Sequence, residues 1–168
     1  MKNLSFREHL WWMNLALEEA EKAYRIEEVP IGAILVDEEG KEIARSYNLK
    51  EQTANPCGHA EILAITQAAQ TLNSWRLLNC TLYVTLEPCP MCLGAMVQSR
   101  IGQLVFGAYD PKGGALSLGF NLYKDERLNH HFRVMGGVRH FQCSRILSQF
   151  FREKRQDYRK KRHLGMGY

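Results

Sequence analysis

Two short segments far apart in the chain, His59-Ala60-Glu61 and Pro88-Cys89-Pro90-Met91-Cys92, place the strongest constraint on the fold. Each follows a loop or strand pattern and stands at the expected start of a helix. The C-x-x-C spacing lets two sulfurs reach one ion across a single helical turn. Two thiolates and one imidazole suit zinc, a borderline-soft ion. Thiolates at a helix N-terminus are also favoured by its unpaired N–H groups and dipole. A fold that uses both segments must therefore bring one helix start against another.

Three protein ligands (His59, Cys89 and Cys92) leave the fourth tetrahedral position of a zinc ion for water, the pattern of a catalytic rather than a structural site. Such an ion lowers the pKa of its water from about 15.7 to about 7. Glu61, two residues after His59, is close enough to take that water's proton without being a ligand. Taken singly, each segment has plainer readings. His-x-Glu alone carries little information. C-x-x-C alone fits a redox pair, a structural half-site or two buried thiols, and a structural Cys₃His site could recruit Cys57 or Cys143. The two segments together, in this order and both at helix starts, favour the catalytic zinc.

The cysteine count agrees with this reading. There are five in 168 residues. The number is odd and the chain is long enough to bury a core, so a disulfide framework is disfavoured. Neither a signal peptide nor an apolar run of membrane-spanning length is recognisable. These features lead to the expectation of a single cytoplasmic domain spanning residues 1–168. The formal charge of +4 is concentrated. Residues 152–162 hold seven Lys or Arg and two acids, +7 − 2 = +5, which leaves −1 for the rest. Such a patch either attracts a polyanion or keeps a helix end solvated.

Periodicity supplies the framework. Ser5 with Glu8 reads as a capping box. Phe6, Leu10, Met13, Leu17, Ala20 and Tyr24 then form one helical face, with at least one of Trp11 and Trp12 turned to the core. Residues 31–36 and 42–47 read as a hairpin around the turn Asp37-Glu38-Glu39-Gly40. Residues 48–58 read as a loop. A helix from about His59 to Leu72 has its apolar stripe at Ile62, Ile65, Ala69 and Leu72. Strands at 81–86 and 101–108 flank a helix opened by Pro90. Residues 116–133 give no clear pattern. A last strand is expected within 134–141, and a basic helix from about Cys143. Strands alternating with helices argue for an α/β sheet covered by helices.

Longer stretches narrow the reading. Glu28-Val29-Pro30-Ile31-Gly32-Ala33, Leu86 through Cys92, Ala95-Met96, Ser99 through Gly102 and Val105 through Ala108 closely resemble the bacterial tRNA adenosine deaminase family. So do Asp110 with Lys112, Leu128-Asn129-His130 and Phe150 through Arg155. H-x-E with P-C-x-x-C is also the signature of zinc-dependent deaminases in general. The resemblance runs from the first helix to the basic tail. One departure is Asn55-Pro56-Cys57-Gly58, where the family often has Asp-Pro-Thr-Ala.

The resemblance implies a cytidine-deaminase-like fold of three α-β-α layers, with a mixed five-stranded sheet. It implies a homodimer with one Zn²⁺ per subunit, converting adenosine to inosine at the wobble position of a tRNA anticodon loop. Carried over, His59, Cys89 and Cys92 are the zinc ligands and Glu61 is the proton shuttle. Asn48 is expected at the target nucleoside. Asp110, Lys112, Asn129 and His130 are expected near the anticodon, and Phe150, Phe151 and Arg152 beside the target nucleotide. The reaction implied is hydrolytic attack on carbon 6 of adenine, with ammonia leaving. Two other readings compete. One is a deaminase of a free nucleoside or base of guanine or cytosine type, which would not need the basic tail. The other is a non-catalytic RNA-binding subunit with a structural zinc, which would not need Glu61.

Overall fold

A computed structural model describes residues 4–163. Among these residues four α-helices and five strands follow in the order α1 (Phe6–Arg25), β1 (Gly32–Val36), β2 (Glu42–Tyr47), α2 (Ala60–Thr71), β3 (Thr81–Leu86), α3 (Pro90–Gln98), β4 (Gln103–Ala108), β5 (Arg133–Met135) and α4 (His140–His163). The strands form one mixed sheet in the order β2-β1-β3-β4-β5. β1 is antiparallel to both β2 and β3, while β3, β4 and β5 run parallel.

Side chains alternate across a strand, so each strand feeds two layers. On one face Ala33, Leu35, Leu82, Val84, Leu104 and Phe106 pack under Ala60, Ala64 and Ala68 of α2 and Leu93 and Met96 of α3. On the other, Ile34, Val36, Tyr83 and Val105 meet Trp12, Met13 and Ala16 of α1 and Cys143 and Leu147 of α4. This is the expected three-layer α-β-α arrangement. The β1–β2 turn is held by Asp37, whose Oδ1 accepts from the Glu39 and Lys41 N–H groups at 3.0 and 2.9 Å. Helix α1 crosses β1 so closely that a Cβ at Gly32 would lie 2.0 Å from the Ala16 carbonyl oxygen. Among the described residues no helix is long and apolar enough to cross a membrane.

Four local expectations need correction. The capping box of Ser5 and Glu8 is present, but Phe6 is 62% exposed. The buried face of α1 instead runs through His9, Trp12, Met13, Ala16, Glu19, Ala20 and Ala23, with Trp11 outside. In α2 the deepest residues are Ala60, Glu61, Ala64 and Ala68, not the expected larger stripe; Ile62, Ile65 and Ala69 are half-buried and Leu72 is exposed. Small side chains let this helix lie close to the sheet, which displaces the bulkier residues to its flank. The last strand is only Arg133–Met135. A Cβ at Gly136 would strike the Phe106 ring at 2.4 Å, and Gly137, at φ +86°, turns the chain away. Helix α4 consequently begins at His140, before Cys143.

The unpatterned stretch has one short 3₁₀ turn, Leu122–Lys124. Leu116, Leu122, Tyr123 and Leu128 fold back onto the α2/α3 side of the core.

Candidate active site

His59 and Cys89 are the N-caps of α2 and α3, and neither side chain makes a capping hydrogen bond. Pro90 fills the first turn of α3, where its missing N–H costs nothing. One turn on, Cys92 points back to the same place. The ligand atoms of His59, Cys89 and Cys92 all lie within 4.8 Å of one another. His59 Nδ1 is 3.7 Å from Cys89 Sγ and 3.5 Å from Cys92 Sγ. Tetrahedral zinc with Zn–S of about 2.3 Å and Zn–N of about 2.05 Å requires a sulfur–nitrogen separation of about 3.6 Å. The donor triangle therefore fits zinc in both chemistry and size. Neither Cys57, which is exposed, nor Cys143, which is buried on the opposite side of the sheet, belongs to it.

Electrostatics inside the cluster follow from the same packing. The Cys89 thiol, hydrogen bonded by Cys92, is pulled down to about 4. Cys92 is pushed up by that same bond and by burial. His59 is raised by its hydrogen bond with Cys89. Glu61, in the first turn of α2, is 4% exposed, and its Oε2 has no hydrogen-bond partner among the described residues. Burial pushes its carboxyl up to about 6. A buried acceptor without a donor costs free energy, of the order of 1–3 kcal/mol. Such groups are rare in folded proteins, and one beside a metal-fitting triangle is a chemical handle.

Asn48 joins this site through the backbone. Ser46 Oγ donates to the Ala60 carbonyl at 2.6 Å, and the Leu49 N–H donates to the Gly58 carbonyl at 2.9 Å. These bonds draw the end of β2 against the segment that carries His59. Asn48 itself is buried, and its Nδ2 donates to Glu28 Oε2 at 2.8 Å. The amide is thus oriented, with its nitrogen spent on Glu28. Asp110 lies on the loop after β4, its N–H held by Glu87 two residues before Cys89, and its Oδ1 accepts from the Lys112 N–H at 3.0 Å. Lys112 is exposed on that loop.

The remaining sequence candidates are not drawn into the cluster. Asn129 is exposed. His130 is half-buried, donates from Nε2 to the Ile101 carbonyl at 2.7 Å and stacks on Phe132. Phe150 corrects the expectation of a nucleotide-facing ring: it is 6% exposed and packs edge-on against Tyr24 with centroids 5.6 Å apart. The spacing Cys143, Leu147, Phe150 is one helical face, so Phe151 and Arg152 rotate outward. Phe151 is 44% exposed.

Sequence reasoning missed two buried carboxylates, Glu28 and Glu87. Each sits next to or near a proline at the edge of a strand pattern. That signal is weak, because a carboxylate between apolar neighbours reads equally well as a turn.

A family model described as MafB19-like deaminase matches residues 7–155. The tRNA-specific adenosine deaminase of Bacillus subtilis is 51% identical over 145 residues, covering 86% of this chain and 89% of that protein. The chain belongs to the tRNA-specific adenosine deaminase family. The family member from Haemophilus influenzae is 46% identical, with 86% and 84% of the two chains covered. A solved structure from a study of A-to-I editing by tRNA:A34 deaminases at the wobble position superposes with a TM-score of 0.77 at 43% identity, covering 81% of this chain and 98% of that one. Guanine deaminase from Nitrosomonas europaea reaches a TM-score of 0.73 at 24% identity, over 84% and 83% of the two chains, a likeness of fold alone.

Proposed function

We propose that this chain converts adenosine to inosine at the wobble position of a tRNA anticodon, using a zinc ion held by His59, Cys89 and Cys92. When bound, the zinc supplies a Lewis acid that makes water nucleophilic at neutral pH. Water oxygen bonds to carbon 6 of adenine, the bond from carbon 6 to the exocyclic nitrogen breaks, and ammonia leaves. Glu61 takes one proton from the attacking water and delivers it to ring nitrogen 1, then carries the second, from the new carbon-6 hydroxyl, to the departing amine, which leaves as ammonia while the carbon-6 carbonyl forms. The single observation that carries this reading is the unpartnered Glu61 Oε2, buried in the first turn of α2 beside the donor triangle. A structural zinc site has no use for that carboxylate.

An anticodon loop suits the site because its bases are already partly unstacked, so extracting one costs only a few kcal/mol. Asn48, oriented by Glu28, offers its amide oxygen to the target nucleoside. Asp110, Lys112, Asn129 and His130 meet the neighbouring anticodon nucleotides. Phe151 supplies a stacking face and Arg152 a phosphate partner on the exposed side of α4. The single deaminase domain works in the cytoplasm as a homodimer. The half-buried Ile62 and Ile65 with exposed Leu72, Trp75 and Met91 give α2 and α3 an apolar flank for the second copy.

The test is incubation of the zinc-loaded protein with an arginine-type tRNA anticodon stem-loop, followed by nucleoside analysis. Inosine at the wobble position is the expected product. Turnover of free guanine or cytosine with no inosine would replace this reading with a free-base deaminase.

A further inference from the structure

Glu87 is 2% exposed and stands two residues before the metal-site Cys89. Its carboxylate is bound by the loop that follows β4. Oε2 accepts from the Asp110 N–H at 3.0 Å and from the Ser117 hydroxyl at 2.6 Å. Oε1 accepts from the Ser117 N–H at 2.7 Å. The backbone of the same segment continues the seam: the Glu87 N–H donates to the Ala108 carbonyl and the Ala115 N–H donates to the Pro88 carbonyl, both at 2.8 Å. The loop is shaped to this carboxylate, since a Cβ at Gly114 would lie 2.4 Å from Glu87 Cδ. Among the described residues this buried carboxylate is bound only by neutral donors, a demanding arrangement. It persists where several fixed N–H and O–H groups replace lost water.

We infer that Glu87 is a positioning residue: it pins the 110–117 loop to the metal-ligand turn and so sets where Asp110 and Lys112 stand relative to the reacting base. The inference rests on the proposed tRNA function for the identity of what that loop meets. Glu87 touches neither zinc nor substrate. It acts on substrate binding through Asp110, whose backbone N–H it holds while the Asp110 side chain orders Lys112. This gives the chain a way to register RNA recognition against the metal site, because Glu87-Pro88 carries both the loop bonds and the approach to Cys89.

Two variants test it. Glu87→Gln keeps shape and size but turns an amide NH₂ towards N–H and O–H donors. Ser117→Ala removes only the hydroxyl donor at an exposed residue. In Glu87→Gln the Asp110 and Ser117 amides are expected to exchange with solvent at least about 10-fold faster, with one zinc per chain retained. On the anticodon stem-loop KM should rise about 10-fold while kcat stays within about 2-fold. Ser117→Ala should raise KM about 2- to 3-fold, and its effect should vanish in the Glu87→Gln background, because both act through one carboxylate. Unchanged exchange at both amides, or a fall in kcat at constant KM, would overturn the inference. A wild-type protein that makes no inosine would instead overturn the tRNA reading; the exchange measurement, which needs no RNA, would still decide whether Glu87 holds the loop.

Discussion

His59 and Cys89 occupy the same position on two different helices. Each is an N-cap in extended backbone, at φ −75°, ψ 145° and φ −71°, ψ 168°, and neither spends its side chain on the helix it starts. An N-cap side chain ordinarily accepts a hydrogen bond from the first turn. Here both side chains are instead left as potential metal donors, and two helix starts meet at one cluster. The field of those helix starts favours thiolates and a carboxylate together, which explains how Cys89, Cys92 and Glu61 share one small space.

On the proposed function, zinc should bear on stability as well as on chemistry. The protein should carry one zinc per chain by atomic absorption. Chelation should lower Tm by about 10 °C, corresponding to the roughly 4 kcal/mol gained when free ligand is about a thousandfold above Kd. Readdition of zinc should restore the melt, whereas His59→Ala should neither bind the ion nor respond to it. A wild-type melt insensitive to chelation would mean that the donor triangle holds no metal in solution.

The remaining thiols should separate by burial. Cys57 is exposed, while Cys80 and Cys143 are buried, and burial pushes these two up to about 11 and about 12. A thiol reagent at pH 8 should modify Cys57 within minutes and reach Cys80 and Cys143 only on unfolding. The same two groups give an alkaline dependence. Their folded values lie above the unfolded value, so their full contribution is present below about pH 9. It is lost as pH rises through 11 to 12, because the unfolded chain ionises first. Urea midpoints should fall between pH 8 and 10.5 by the equivalent of at most about 2 kcal/mol per thiol.

Gly32→Ala tests the closest helix-to-sheet approach. Its added methyl would meet the Ala16 carbonyl oxygen at 2.0 Å and the Ala20 nitrogen at 2.5 Å, both backbone atoms of α1. A loss of about 1–3 kcal/mol is expected from chemical denaturation, with any lost activity recovered at lower temperature. A neutral substitution would show that α1 can move off the sheet without cost.

How much of the molecule is legible in its sequence depends on what kind of signal each residue carries. The His59, Cys89 and Cys92 cluster and Glu61 are readable because fixed spacing at helix starts is a local property. Strands β1, β3 and β4 are readable because buried parallel and central strands are nearly continuous apolar runs. The buried face of α2 is not, because Ala60, Ala64 and Ala68 carry less hydrophobic signal than the isoleucines they displace. Phe150 and Phe151 look alike in sequence. Only the register of α4, set two turns earlier by Cys143, decides which one is inside. Glu28 and Glu87 are invisible as partners, since their hydrogen bonds reach residues 20 to 30 positions away.

The basic end of α4 offers a test that leaves the fold alone. Arg159, Lys160, Lys161 and Arg162 are all exposed. Tyr24 donates a hydrogen bond to Glu153, and Lys154 pairs with Glu27 at 2.9 Å, so the preceding turns are fixed to the end of α1 independently of these four. Replacing all four by Gln should weaken stem-loop binding about 10-fold or more at low salt. It should also flatten the salt dependence by roughly 0.7 in log–log slope for each phosphate no longer neutralised. Tm should stay within about 2 °C, as for other exposed substitutions. Equal binding and an equal salt slope would mean that this segment does not meet the RNA.

The most direct test of Glu61 as the proton carrier is single-turnover inosine formation on an anticodon stem-loop by Glu61→Gln. The amide keeps the volume of the buried side chain but cannot carry the proton. The expected result is one zinc per chain, an unchanged or slightly raised Tm, and a rate at least 10²- to 10⁴-fold below wild type. A zinc-loaded Glu61→Gln protein that forms inosine at close to the wild-type rate would contradict that role.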